Sequence, residues 1–176
     1  DYKWRVIKMG TKRVGLARTQ TLIENLKREL LLTDSTLTGA KRRFLAKTAD
    51  YTVSTADGGG VIHVNPAATT LIQLPSAATV GAGWTLSVII DEQDGGTMDQ
   101  IVNIGTASGE FFTGLIIGGD GGGAVVANGS SHDFINCSTS STSGERFDFV
   151  SDGTYMHCTG VVIDVSDTLF ATSAAS

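Results

Sequence analysis

The sequence has no lysine after position 47 and a single arginine, Arg146, beyond that point. No apolar run approaches eighteen residues, so a transmembrane helix is not expected. The first ten residues carry charges without a following apolar stretch, and no signal peptide is recognisable. Two cysteines, Cys137 and Cys158, do not make a disulfide framework. We expect both to be free, buried thiols, and pairing between two strands is the alternative.

The missing lysines also exclude a phosphate-binding loop. The stretch "GGDGGG" at 118–123 is rich in glycine, but a P-loop ends in Gly-Lys-Ser/Thr. "DEQDGG" at 91–96 groups carboxylates that suit Ca²⁺, yet its spacing fits a polar turn better than an EF-hand. The histidines and cysteines are too dispersed for a zinc site. The sequence therefore predicts no catalytic residue, no metal and no cofactor.

What the sequence does have is a division of charge. Residues 1–47 carry four acids and twelve bases, a net charge of +8, whereas residues 48–176 carry fourteen acids and one base, a net charge of −13. Such asymmetry indicates a basic arm that binds an anionic partner. The bases of the arm are Lys3, Arg5, Lys8, Lys12, Arg13, Arg18, Lys27, Arg28, Lys41, Arg42, Arg43 and Lys47.

A short helix is predicted within the arm, from about residue 19 to 32. Thr21 followed by Glu24 matches a capping box, and apolar residues at helical spacing give one apolar side: Leu22, Ile23, Leu26 and Leu30. At roughly twelve residues such a helix is marginal alone, so its apolar side must be buried on something. Residues 1–8 precede a Met9-Gly10 pair typical of a natural start. We interpret them as an upstream extension, with a processed precursor as the alternative.

Residues 48–176 predict an all-β module. Short apolar segments alternate with turn-forming clusters, and the candidate strands are 51–54, 60–64, 69–74, 84–90, 100–104, 111–117, 123–127, 133–136, 146–150, 154–158 and 160–165. "WTLSVII" places Trp84, Leu86, Val88 and Ile90 on one face. Asp152-Gly153 predicts a two-residue hairpin turn. The expected fold is mainly β: an antiparallel β-sandwich or jelly-roll-like module preceded by the arm.

Three anionic targets of the arm can be compared. Nucleic acid would be favoured by aromatic residues among the bases, and the arm has few. A membrane would require bulky apolar residues opposite the basic face, and the helix has leucines without an aromatic. An acidic protein lattice, including other copies of this chain, makes no further demand. A solvated charged face with no partner is the remaining alternative.

The opening stretch at 11–30 is "TKRVGLARTQTLIENLKREL", and it resembles the start of small structural proteins of tailed bacteriophage virions, especially those of marine phages. Similar β modules carry stretches like those at 51–60, 70–77, 81–90 and 147–160: "YTVSTADGGG", "TLIQLPSA", "GAGWTLSVII" and "FDFVSDGTYMHCTG". The resemblance implies a structural, non-enzymatic role, usually as a homotrimer.

The resemblance implies a capsid decoration or cement protein, made in the host cytoplasm and located on the virion surface. The alternative is a tail fibre, spike or other component that contacts a host receptor or glycan. Partners would be the major capsid protein or other virion subunits, with neither membrane nor nucleic acid expected. The predicted interface comprises Lys12, Arg13, Arg18, Leu22, Ile23, Leu26, Lys27, Arg28, Leu30, Lys41, Arg42 and Arg43.

Overall fold

Strands dominate the part of the chain that a computed structural model describes, which is residues 18–21, 42–91, 98–119 and 124–175. Two compact units are distinguished, residues 1–41 and 42–176. The strands of the second unit are β1 (Phe44–Lys47), β2 (Tyr51–Thr52), β3 (Val61–Val64), β4 (Thr70–Gln73), β5 (Ala82–Ile90), β6 (Val102–Gly105), β7 (Phe112–Gly118), β8 (Ala124–Asn128), β9 (Phe134–Cys137), β10 (Glu145–Asp152), β11 (Met156–Val162) and β12 (Thr168–Ala171). A 3₁₀ helix spans Thr55–Asp57, and a short α-helix spans Ala77–Val80.

The first six strands alternate between two sheets. β1, β3 and β5 lie side by side and parallel in a seven-stranded sheet. β2, β4 and β6 are likewise parallel in a five-stranded sheet. Parallel neighbours require a long crossover connection, and here each crossover contains a strand of the opposite sheet. The chain therefore winds between the two sheets as a coil.

The remaining strands extend both sheets with mixed directions. The seven-stranded sheet has the order β1-β3-β5-β10-β11-β7-β8, and the five-stranded sheet has the order β12-β9-β6-β4-β2. Five of the ten strand pairs are parallel, so the prediction of antiparallel sheets is wrong for half of the pairs. A jelly roll is built from antiparallel Greek keys and is not confirmed.

Both sheets contribute to one hydrophobic core, which gives the module a sandwich-like arrangement. Leu86, Val88 and Ile90 of β5 are buried, as the alternation in "WTLSVII" predicted, and Trp84 packs against the same core partly exposed. Phe147 and Phe149 of β10 face the core in the same way. Alternation of apolar and polar residues thus decides which face of each strand is buried.

The β module begins earlier than predicted. The second unit starts at Arg42, and Phe44–Lys47 form β1. The sequence predicts instead that these residues belong to an arm that ends at residue 47. β1 lies at the edge of the seven-stranded sheet, because a single partner, β3, pairs with it among the described strands. In residues 1–41, residues 18–21 are helical. The rest of the predicted helix lies outside the described residues.

The predicted hairpin joins β10 and β11. Its last strand pair is Ser151–Met156, so the loop holds four residues, 152–155, rather than the predicted two. Gly153 adopts a positive φ of 90°. The Asp152 carboxylate accepts hydrogen bonds from the backbone N–H groups of Thr154 and Tyr155. The turn is therefore closed by an aspartate side chain as well as by its glycine.

Candidate functional site

Three of the twelve predicted interface residues lie in the described part of the chain: Arg18, Arg42 and Arg43. Arg18 is one of the described helical residues, 18–21. Arg42 and Arg43 belong to the β module, where both make hydrogen bonds within the module itself. The other nine residues, Lys12, Arg13, Leu22, Ile23, Leu26, Lys27, Arg28, Leu30 and Lys41, lie outside the described residues.

Arg42 and Arg43 bind the loop that precedes β3. Arg42 donates from Nε to the Gly59 carbonyl at 2.9 Å and from Nη2 to the Gly60 carbonyl at 2.7 Å. Arg43 donates to the Ala56 carbonyl at 3.2 Å, and its Nη1 lies 2.9 Å from Oδ1 of Asp57. The Arg43 side chain is 53% exposed, whereas that of Asp57 is 1% exposed. Arg43 therefore anchors the start of β1 to a buried carboxylate, and Arg42 anchors it to two backbone carbonyls.

Asp57 accepts hydrogen bonds from three donors at one oxygen. Oδ2 receives the Ser54 backbone N–H and hydroxyl, both at 2.8 Å, and the Tyr51 hydroxyl at 2.9 Å. Oδ1 takes part in the ion pair with Arg43 but receives no aligned hydrogen bond. Burial by itself would raise the pKa of Asp57, but the Ser54 and Tyr51 donors and the Arg43 charge together lower it. The carboxylate therefore stays ionised although it is buried.

Glycines determine the conformation of the loop that Arg42 and Arg43 bind. A Cβ on Gly58 would lie 2.5 Å from Nε1 of Trp84, which donates a hydrogen bond to the Thr55 carbonyl. Gly59 has a φ of +73°, a backbone conformation that glycine adopts without strain. A Cβ on Gly60 would approach the Asp57 carbonyl to 2.8 Å. The run "DGGG" at 57–60 is thus required for close packing at the junction where this loop meets Trp84 and Arg43.

All four bases of residues 42–176 interact within the module. Besides the two arginines, the Lys47 ammonium lies 3.5 Å from the centre of the Tyr51 ring. Arg146 is paired with Asp148 at 2.9 Å on the outer face of the seven-stranded sheet. Arg42 and Arg43 thus make hydrogen bonds inside the module, and their part in a protein interface stays a prediction. The nine bases of residues 1–41 are the remaining cations of the chain.

An apolar patch covers part of the outer face of the seven-stranded sheet. Val126 of β8 pairs with Leu115 of β7, and Ile117 of β7 pairs with Val161 of β11. Val126 is 63% exposed, Val161 is 60% exposed, and Ile163 just beyond β11 is also exposed. Sequence reasoning missed this patch because it depends on β7 and β11 being neighbours, although they are far apart in the chain.

A second buried carboxylate lies where β10 begins. Glu145 accepts a hydrogen bond from the Thr168 hydroxyl at 2.8 Å, and that hydroxyl also contacts Oγ of Ser141 at 3.0 Å. Burial raises the pKa of Glu145, and its hydrogen bonds offset this only in part. Glu145 borders a cavity of about 110 Å³ lined by Ser143, Gly144, Val161, Val162 and Ile163. The cluster ties β10 to β12, and sequence reasoning did not single it out.

A serine, an aspartate and a histidine meet beside this cluster, but their order does not suit catalysis. His63 Nε2 lies 2.9 Å from one oxygen of Asp91, and the Ser143 hydroxyl donates to the other. In a nucleophilic triad the histidine contacts the serine and takes its proton. Here the aspartate stands between them. The arrangement therefore holds two loops together without activating Ser143 through His63.

The described residues offer neither a metal site nor a membrane-spanning helix. No group of three or more His, Cys, Asp or Glu side chains there could hold a metal ion. Of the predicted carboxylate turn, Asp91 pairs with His63, and Glu92 and Asp94 lie outside the described residues. Cys137 and Cys158 are free and buried, as predicted. Within the same residues, no helix has the length and apolarity needed to cross a membrane.

Comparison of the chain with protein-family models, with curated proteins and with solved structures found no match.

Proposed function

We propose that this chain is a non-enzymatic structural protein of a tailed-phage virion, and that it decorates the capsid. The supporting observation is the separation of charge between the two units. Residues 1–41 carry nine bases and four acids, a net charge of +5, and residues 42–176 carry four bases and fourteen acids, a net charge of −10. Because the four bases of the module interact internally, attraction to an acidic surface would come from residues 1–41.

In this proposal, residues 1–41 are the anchor. Their bases contact acidic patches of the major capsid protein and of neighbouring subunits. The apolar side of the predicted helix at 19–32 is buried against the shell, since a helix of this length needs such burial to be stable. An extended segment of 41 residues would reach roughly 130–150 Å at about 3.3–3.6 Å per residue. That is enough to cross a subunit boundary.

The acidic module would be the outward part of a homotrimer. Surface carboxylates such as Asp152, which is exposed, and Asp164, which is half-buried, repel other copies in solution, which favours solubility before docking. His157 lies 2.8 Å from Asp152, and together with the Thr154 and Tyr155 N–H groups it lowers the pKa of Asp152 to about 2. The surface charge therefore persists under mildly acidic conditions.

The copy number and position of the chain in purified particles test this proposal. Quantitative mass spectrometry gives the ratio to the major capsid protein, and cryo-electron microscopy gives the position. Many copies over the head surface, with residues 1–41 on the shell, would support decoration. A few copies at the tail would replace it by the fibre or host-contact role. Absence from particles would overturn both virion roles.

A further inference from the structure

The segment that follows β12 crosses the outer face of the five-stranded sheet. Two asparagines lie beneath it: Asn103 on β6 and Asn136 on β9 are directly paired in the sheet. The inner neighbours of these residues, such as Ile104 and Ile135, face the core. Because side chains alternate along a strand, both asparagines point away from the core, toward residues 173–175.

Both asparagines bind the backbone of this segment. Asn103 donates from Nδ2 to the Ala175 carbonyl at 3.0 Å and accepts the Ala175 N–H at 2.9 Å. Asn136 donates from Nδ2 to the Ser173 carbonyl at 3.0 Å. The alternating contacts, at 173 and 175, suit an extended chain. The pair thus recognises an extended backbone and accommodates the small serine and alanine side chains above it.

Asn103 and Oδ1 of Asn136 are buried beneath the segment, as the polar groups of a formed binding site are. Asn103 is 2% exposed. Oδ1 of Asn136 is buried and accepts no hydrogen bond from the described residues. The site therefore has an acceptor that its present occupant does not use. By contrast, Thr172, Ser173 and Ala174 are exposed. The occupant is held by few contacts, and segments of this kind open at low free-energy cost.

We propose that Asn103 and Asn136 form a binding site for an extended, small-residue peptide, and that segment 172–175 of a second copy is its partner in trans. Exchange between copies would re-form the same three hydrogen bonds, which is why swapping an identical element is a low-cost route to assembly. Copies held close together on one surface would favour exchange through their high effective concentration. The site itself does not depend on the virion role.

Peptide binding tests the site. A chain ending at Ala171 is titrated against a fluorescent peptide of residues 171–176, "ATSAAS", with anisotropy as the readout and thermal unfolding as the check on folding. We expect saturable binding, which Asn103→Ala in the same truncated chain weakens about 10- to 100-fold by removing two hydrogen bonds. The matched control Asn128→Ala, on β8 of the other sheet, should leave the affinity unchanged.

Two results would overturn the site: no saturable binding by the folded truncated chain, or equal affinities for the Asn103→Ala and Asn128→Ala versions. If the truncated chain does not fold, the full chain carrying Ala175→Pro replaces it. Proline lacks the N–H that Asn103 accepts, so this variant releases the segment while keeping its length.

A mixing experiment tests the partner. The donor is the full chain with Asn103→Ala and Asn136→Ala, and the acceptor is the chain ending at Ala171. Co-elution as a complex in size-exclusion chromatography with light scattering, reversed by excess peptide, would support exchange between copies. The same mixture with Asn103→Ala in the acceptor should give no complex. Separate elution of donor and intact acceptor would overturn the second copy as partner.

Discussion

Two buried carboxylates of the module have pKa values displaced in opposite directions. Burial would raise the pKa of Asp57, but the Ser54 and Tyr51 donors and Arg43 overcome this, so the pKa falls. Burial also raises the pKa of Glu145, and there the neutral donors, among them Thr168, do not compensate. The difference is consistent with the general rule that a nearby cation and several donors favour the ionised form.

Asp57→Asn should lower the free energy of unfolding at pH 7 by about 1–3 kcal/mol. The asparagine amide keeps one acceptor oxygen. Its N–H groups, however, would face either the Ser54 and Tyr51 donors or the Arg43 cation. Because the Asp57 pKa is lowered, its stabilising effect is present above about pH 4 and is lost as the pH falls through the folded-state pKa. Urea unfolding at several pH values measures this.

The matched control for this change is Asp50→Asn. Asp50 is exposed and accepts the Leu71 N–H through Oδ1, an oxygen that asparagine retains. We expect a change within about 0.5 kcal/mol, as for most surface substitutions. Equal losses for the two variants, or a loss at Asp57 that does not shrink in acid, would contradict the role assigned to Asp57.

Glu145→Gln should change the pH dependence with the opposite sign. A carboxyl whose pKa is raised on folding binds its proton more tightly in the folded state. Stability therefore falls as the pH rises from about 4.3, the ordinary glutamate value, toward the folded-state pKa. The variant lacks this titration, so its free energy of unfolding relative to the parent chain should increase with pH. A relative stability that is constant between pH 4 and 8 would contradict the prediction.

At the scale of elements, the positions of strands could be predicted and their partners could not. The segments around 61–64, 84–90, 112–117 and 146–150 were recognisable because apolar residues alternate locally. β12 was missed because Leu169 points outward and Phe170 inward, so alternation gives no signal. Which strands pair depends on contacts between distant residues, and the parallel coil of β1–β6 therefore had no local signature.

The candidate sites also differ in whether the sequence alone could predict them. The excess of bases in residues 1–47 was visible in the composition, because charge is a sum over residues. The junction at Asp57, the Glu145 cluster and the Asn103–Asn136 pair were not visible, because each joins residues from different elements. "DGGG" at 57–60 was a local signal of the junction. The structural role of this run is evident only from the three-dimensional structure, in which Trp84 and Arg43 lie beside it.

Gly114→Ala tests the close approach of the parallel strands β7 and β11. A Cβ at Gly114 would lie 1.9 Å from the Cys158 carbonyl oxygen, a backbone atom that cannot move without displacing β11. We expect the free energy of unfolding to fall by about 1–3 kcal/mol or more. In the control Gly119→Ala, the nearest atom is 3.6 Å away. Equal melting temperatures of the two variants would contradict the pairing of β7 with β11.

The charge division and the boundary of the module are connected. Arg42, Arg43 and Lys47 count as part of a basic arm in the sequence, but their contacts lie inside the acidic module. These contacts partly neutralise its charge where β1 forms the sheet edge. The unit boundary at 41/42 therefore falls between the nine bases of residues 1–41 and the bases whose contacts lie within the module.

A pair of fragments tests this boundary. Residues 42–176 should unfold cooperatively, because they contain every core residue found in the described part of the chain. Residues 48–176 lack β1 and leave Asp57 without the Arg43 ion pair, so we expect a free energy of unfolding lower by at least ~2 kcal/mol. Urea unfolding followed by circular dichroism compares the two. Equal stabilities would return the boundary to 47/48 and remove the structural role given to Arg42 and Arg43.

If the chain decorates a capsid as proposed, its attachment through residues 1–41 should depend more on their apolar residues than on any single charge. Burying a leucine contributes about 1.5–3 kcal/mol, whereas an exposed ion pair contributes under about 1 kcal/mol. Leu26→Asp should therefore weaken binding of the full chain to purified capsids more than Arg28→Ala, two residues away in the same predicted helix. Cosedimentation over a range of chain concentrations gives both affinities. An equal loss, or a larger loss for Arg28→Ala, would show that attachment depends on charge rather than on the apolar side of the helix.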